Sequence, residues 1–242
     1  MSINSETLQI ANVEIDVIRK DIKNMHLAVY PPLGKIRLAV PKKTDEEILR
    51  LFAISKLGWI KKHVKNFKSQ PRETKRDYVS GESHYYQGKR YVLEIDEKDG
   101  YSKVLVSGTK KIQMRVPAGS SVDFRSKVMK EWYRKQLKSQ IPPLLEKWEK
   151  TIGIKSKDWG VKQMKTKWGA CNTDAARIWL NLELAKKPPI CLEYILVHEL
   201  VHLHEKHHND RFIQLMDKFM PKWRMYRNEL NSLPVSHNDW GY

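Results

Sequence analysis

Apolar and polar residues alternate through Ile10, Val13, Ile15 and Val17, again through Leu27 and Val29, and again through Ile36, Leu38 and Val40. A period of two puts every second side chain on one face of a strand. Residues 10–41 therefore predict a meander of short antiparallel strands, turning at Asn24 and at Pro31-Pro32-Leu33-Gly34. The period then changes. Thr44-Asp45-Glu46-Glu47 offers a cap and an acidic first turn. Ile48, Leu51, Phe52, Ile54, Leu57, Trp59, Ile60 and Val64 carry a helix from there, interrupted at Gly58, to about Phe67. Residues 68–83 are polar and punctuated by Pro and Gly, which reads as a loop or linker. Alternation resumes at Tyr85 to Tyr86, Tyr91 to Ile95, Lys103 to Val106 and Ile112 to Val116. Gly88-Lys89, Lys98-Asp99-Gly100 and Gly108-Thr109 are the turns. Val40-Pro41 leads into a helix containing Trp59, and Val116-Pro117 leads into one containing Trp132. This internal echo is also what shared turn chemistry would produce, so no fold is built on it.

A helix starts at Ser121-Val122-Asp123, with Val128, Trp132, Leu137 and Ile141 on its buried side. Pro142-Pro143 is expected to kink or break it before Leu144, Leu145 and Trp148 continue toward Gly153. Gly160 to Met164 and Trp168 to Cys171 read as strand pieces. From Arg177 to Leu184 the alternation is clean. Ile178, Leu180, Leu182 and Leu184 share one face, and Arg177, Trp179, Asn181 and Glu183 the other. As an edge strand this segment could pair with a peptide; an internal strand would show the same pattern. Asn209-Asp210 can cap a helix containing Phe212, Ile213, Leu215, Met216 and Phe219, which Pro221 ends or kinks. Trp223, Met225, Tyr226 and Leu230 follow, and the tail from Ser232 is expected to be loosely held.

Between these lies the densest chemistry of the chain. Pro188-Pro189 opens an element whose Leu192, Ile195, Leu196, Leu200 and Leu203 form a helical stripe, with no Gly or Pro over 190–206. Of the nine histidines, five fall between 198 and 208. His198-Glu199-Leu200-Val201-His202 is the H-E-x-x-H pattern. On a helix, residues i and i+4 project from one face, so His198 and His202 can offer two imidazole nitrogens to one metal ion. Glu199 lies about 100° round the helix and can take a proton from water that a metal acidifies. A catalytic zinc takes three protein ligands. His204 points to the opposite side of a continuing helix, which leaves His207, His208 and a distant carboxylate such as Glu229. Spacing favours His208 over His207. A structural site would need a fourth ligand, for which Cys171 would have to approach in space.

Charge and composition add a second theme. Lys and Arg number 45 against 28 Asp and Glu, a formal net charge of +17 that attracts polyanions: nucleic acid, nucleotides or acidic protein segments. No apolar run is long enough to span a membrane. Residues 1–9 are polar, without the basic-then-apolar pattern of an export signal, so a cytoplasmic location is the expectation. The two cysteines, Cys171 and Cys191, form no C-x-x-C pair and read as buried thiols.

Three stretches together resemble the YgjP-like metallopeptidase family. They are Met164-Lys165-Thr166-Lys167-Trp168-Gly169-Ala170-Cys171, Ile178 to Ala185, and Tyr194 to Val197 leading into the histidines. The N-terminal strands running into Gly58-Trp59-Ile60 are also similar. Lys167, Ala170 and His208-Asn209-Asp210 stand where that family carries Arg, Ser and His-Ser. The resemblance implies a zinc-dependent hydrolase with a small zincin core, related to the SprT-like and WLM metalloproteases. It also implies that His208 is the third metal histidine.

The expected architecture is α+β. Residues 1–117 form a mainly β region with one helix and strand sets near 10–41 and 85–116. Residues 118–242 form the zincin-like core, its metal on a helix after an edge strand. The expected activity is peptide-bond cleavage, with Glu199 as general base, His198, His202 and His208 on Zn2+, and Asn181 aligning substrate. Nucleoside triphosphate hydrolysis on the same site, with Lys165, Lys167 and Arg177 on the phosphates, is the alternative. A third reading is a nucleic-acid-associated protein with a structural metal. Some relatives of the resembled family cut proteins attached to DNA, and that analogy with a basic chain is one between families.

Overall fold

Both β regions use one connectivity, and it is not a meander. The computed structural model describes residues 5–30, 34–69, 76–164 and 167–233. The expectations for Pro31-Pro32-Leu33, for much of the linker, for Lys165 and for the tail past 233 lie outside them. In the first set, β1 (Ser5–Ile10), β2 (Val13–Lys20), β3 (His26–Tyr30) and β4 (Lys35–Pro41) assemble in the order β1-β2-β4-β3. β1 and β2 form an antiparallel hairpin, β4 lies parallel to β2, and β3 pairs antiparallel on the outer side of β4. The chain passes from β2 to β3 without pairing them, and β4 then slots between its two predecessors. Fully buried Ile15, Val17, Leu38 and Val40 meet Leu49, Ala53 and Ile60 from two helices, α1 (Glu46–Ser55) and α2 (Leu57–Ser69). Asp45 caps α1 by accepting from Glu47 N at 3.0 Å, and the helical run breaks at Lys56 rather than at Gly58.

The second set repeats the arrangement. β5 (Ser83–Tyr86), β6 (Lys89–Glu97), β7 (Lys103–Ser107) and β8 (Lys111–Val116) lie in the order β5-β6-β8-β7, with β6 and β8 parallel. The echo read around Val40-Pro41 and Val116-Pro117 thus extends to strand order and direction, and a helical segment follows each sheet.

The compact units divide at residue 70, which does not coincide with the expected boundary at 117. The reason is the core. Tyr91, Leu93, Ile112, Met114 and Val116 of the second sheet share one apolar cluster with the helices that follow. The long helix α3 (Val122–Ile152) lies against this core through Met129, Tyr133, Leu137, Ile141 and Leu145. Ser121 caps its start, and Gly153 closes it in the left-handed region, at φ 77°. Pro142-Pro143 lies inside α3 without ending it, because buried side chains on either side hold the run together.

Three short strands complete the second unit: β9 (Asp158–Lys162), β10 (Gly169–Asn172) and β11 (Arg177–Asn181), in the order β10-β11-β9. Two expectations are corrected here. The alternating segment leaves the sheet at Asn181, and Leu182–Lys186 forms a 3-10 helix. Asn181 causes the switch, since its side chain accepts from Glu183 N at 3.2 Å and draws the backbone out of the ladder. The strand is also internal, not an edge, because β9 and β10 pair on both of its sides. The edge strands of this sheet are β10 and β9.

α4 (Pro189–Val201) follows, then α5 (Asp210–Phe219) and α6 (Trp223–Ser232). α4 is apolar around nearly its whole circumference, as a helix packed on all sides must be. It meets α3, α5, α6 and the three-stranded sheet. Its start is clamped twice. Glu193 accepts from Trp148 Nε1 at 2.8 Å and from Lys147 Nζ at 2.7 Å, tying it to α3. The β5–β6 turn donates from Gln87 N to Ala185 O and from Gly88 N to Lys186 O, both at 3.0 Å. Gly88 has φ +77°, and a Cβ there would lie 2.7 Å from Pro188 Cγ, so only glycine brings this turn so close. Among the described residues, no helix is long and apolar enough to cross a membrane.

Candidate metal centre

The last turn of α4 delivers His198, Glu199 and His202 at spacings set by the helix alone. The chain then tightens: Leu203 N donates to Leu200 O, and His204 N and Glu205 N both donate to Val201 O. Asn209 opens α5 by accepting from Phe212 N at 3.0 Å. The short return between those helices carries His208 back over the helix end. Its Nε2 lies 2.9 Å from His198 Nε2. One ligand atom from each of His198, His202 and His208 lies within 4.8 Å of the others.

The other candidates go elsewhere. His204 turns away, with its Nε2 3.3 Å from Ile152 O at the end of α3. His207 is exposed, and Glu229 sits on α6 near Cys191. Neither belongs to the cluster, and nor does Cys171, although its side chain lines the same cleft.

The donor set fits a metal ion. Burial lowers the pKa of all three histidines. His198 is pushed down to about 3 by burial and by the two neighbouring imidazoles, so the ring is neutral. His202 Nδ1 lies 3.1 Å from Glu205 O, and a carbonyl can only accept, so Nδ1 carries the proton and Nε2 keeps its lone pair. Two Nε2 atoms at 2.9 Å repel unless a proton or a cation lies between them. Phe212 lies against all three rings, with centroids 4.7–4.9 Å away, and is 2% exposed. Hydrophobic spacing marked Phe212 only as core; its support of the imidazoles arises from α5 folding back on α4.

Glu199 is 5% exposed, and its carboxyl is pushed up to about 8 by burial, while Lys167 acts in the opposite sense. The carboxyl rests on β10. A Cβ at Gly169 would lie 2.4 Å from Glu199 Oε1 and 2.8 Å from Ile195 Cγ2. Glycine inside a strand often marks such a close approach, and that signal at 169 was readable in the sequence. A cleft of about 500 Å³ opens above this contact. Lys167, Trp168, Gly169, Ala170, Cys171 and Thr173 line one side, with Tyr194, Ile195, His198, Glu199 and His202 from α4 and Lys206 and His208 from the return. Burial, with Glu199 adding to it, pushes the Cys171 thiol up to about 11, so it is protonated at neutral pH.

Of the residues expected to touch substrate, Lys167 lines the cleft. Asn181 does not: it is buried, and its amide is already engaged. It donates to Met164 O at 3.0 Å and Lys167 O at 2.7 Å and accepts from Met164 N and Glu183 N. Its role is corrected to holding the segment that enters β10. Arg177 is spent on Asp158 of the neighbouring strand, Nη2 to Oδ2 2.7 Å, and is not among the cleft residues.

Three imidazoles at a helix end, beside a buried carboxyl and an edge strand, form a cluster that could hold a metal ion, at the floor of a cleft. Residues 23–233 match the YgjP-like, metallopeptidase domain family, and the chain belongs to that family. Membership implies a divalent metal ion. No curated protein matches the chain.

Proposed function

We propose that this protein is a zinc-dependent peptidase in which His198, His202 and His208 hold the ion and Glu199 is the general base. The observation that carries the reading is the buried Glu199 carboxyl, pressed on Gly169 of an edge strand beside the three-histidine cluster. Zinc held there supplies Lewis acidity toward a carbonyl oxygen and acidifies water toward a pKa of about 7. The rest falls to the chain's own residues. Among the described residues β10 pairs with β11 on one side only, leaving its other edge to receive an extended peptide by backbone hydrogen bonds. Such a peptide lies along Lys167 to Cys171 with its bond over Glu199. The carboxylate takes the proton from the attacking water and passes it to the leaving amine nitrogen. Burial holds the Glu199 carboxyl up at about 8, and Lys167 acts against it, as a cation on the three imidazoles would, toward the charged form that a base requires. Phe212 and the Glu205 carbonyl keep the imidazoles oriented.

The test is an assay of zinc-loaded protein on unstructured protein and peptide libraries, with nucleoside triphosphates in parallel. Peptide cleavage is expected, falling by on the order of a thousandfold or more in Glu199→Gln while one metal per chain is retained. Phosphate release without peptide cleavage, or full turnover by that variant, would overturn the reading.

A further inference from the structure

The walls of the cleft carry charge of one sign. Glu199 is the one carboxylate among the described lining residues, and it belongs to the reacting centre. Facing it are two lysines, Lys167 at the entry to β10 and Lys206 in the return between His202 and His208. Both are exposed, and neither makes an ion pair among the described residues. Glu205, the carboxylate next to Lys206, is turned back to accept from His207 N at 3.2 Å and does not line the cleft.

The lysines are exposed side chains on backbone held by hydrogen bonds. Lys167 O accepts from the buried Asn181 amide at 2.7 Å, and Asn181 N donates to Trp168 O at 2.9 Å. Lys206 is bracketed by Glu205 O, which faces His202 Nδ1, and by His207 O, which accepts from Asn209 N at 2.8 Å. The groups that shape the candidate centre therefore also fix where the two cations stand. Lys167 is close enough to act on the Glu199 carboxyl.

We infer that the cleft selects peptides with aspartate or glutamate side chains flanking the bond to be cut. Two ammonium groups, brought to the cleft by different segments of the chain, attract a carboxylate near the reacting centre. They repel basic residues there, and like-charge repulsion sharpens selectivity as much as attraction does. The inference rests on the peptidase reading for its chemistry, but binding alone can test it.

The experiment compares matched peptides with Asp/Glu, Asn/Gln or Lys around the cleavage site. Zinc-loaded full-length protein should show kcat/KM for the acidic set on the order of tenfold above the amide set and further above the lysine set. The preference should shrink as ionic strength rises past ~0.15 M. Lys167→Glu with Lys206→Glu should reverse the order, and Lys167→Gln with Lys206→Gln should flatten it; a merely structural role for the lysines cannot produce a reversal. Equal rates on all three sets, or an unchanged order in both double variants, would overturn the inference. Binding of labelled peptides to zinc-loaded Glu199→Gln separates the two readings. Preferential binding of the acidic set without cleavage by the unaltered protein would sustain this inference and sink the peptidase. Cleavage without acidic preference would do the opposite.

Discussion

Gly169 has no side chain, and the Glu199 carboxyl occupies the space one would take. Gly169→Ala must therefore move either β10 or the carboxyl. Displacing a reacting group by about 1 Å can cost on the order of a hundredfold in rate. We expect Gly169→Ala to lower kcat by tenfold or more, as an order of magnitude, while metal content stays at one per chain; steady-state kinetics with metal analysis checks both. Asn181 is a different kind of residue: it makes no contact in the cleft, yet four hydrogen bonds converge on its amide. Asn181→Ala leaves buried backbone groups unsatisfied and should cost about 2–4 kcal/mol, read from the urea midpoint. His84 is 4% exposed, with its pKa lowered chiefly by burial and then by Arg76, against the hydrogen bond it donates to Glu82. The folded state keeps this ring neutral where the unfolded chain, near its usual value of about 6.5, takes a proton. Its contribution is therefore complete above that value and is lost as pH falls below it, until the folded ring also protonates. The stability difference between wild type and His84→Gln should change in that window and be flat above it, measured by denaturant titration across pH.

Among elements, the β5–β6 turn has the most reach. Through Gln87 and Gly88 it fixes the 3-10 segment and Pro188, and hence the start of the helix bearing the histidines. Gly88→Ala would meet both a positive φ and a contact at 2.7 Å. We expect a loss of about 2–3 kcal/mol and a fall of several degrees in Tm by calorimetry. Much of the element pattern was readable: most of the strands, the Asp45 and Ser121 caps and the histidine helix are where periodicity and capping residues put them, but β1 (Ser5–Ile10) lies ahead of the predicted set. Pro142-Pro143 does not break the run, since propensity is local and packing along α3 outweighs it. The 177–184 segment misled for a related reason. Alternation reads as a strand through Leu184, but Leu182, Glu183, Leu184 and Ala185 are all buried in the 3-10 turn, and Asn181 decides where one gives way to the other.

For the molecule as a whole, the described core residues fall into two clusters, and the residues of the candidate centre lie in the unit that begins at 71. A fragment starting at residue 71 should fold cooperatively and bind one zinc ion, whereas one starting at 118 removes Tyr91, Leu93, Ile112 and Met114 from the shared core and should not. Circular dichroism melts and metal titration of both fragments check this. The sequence by itself determined what depends on neighbours along the chain. His198, Glu199 and His202 share a helix end because i and i+4 coincide on any α-helix, and the strand and cap signals are equally local. The tertiary structure alone decided which strand is the edge, which wall receives Glu199, and that Lys167 and Lys206 face one cleft. Strand order and cross-element contacts depend on pairings between segments far apart in sequence, which no local period encodes. His208 stands between the two: its spacing nominated it, but only the return of the chain onto α5 brings its ring to the other imidazoles.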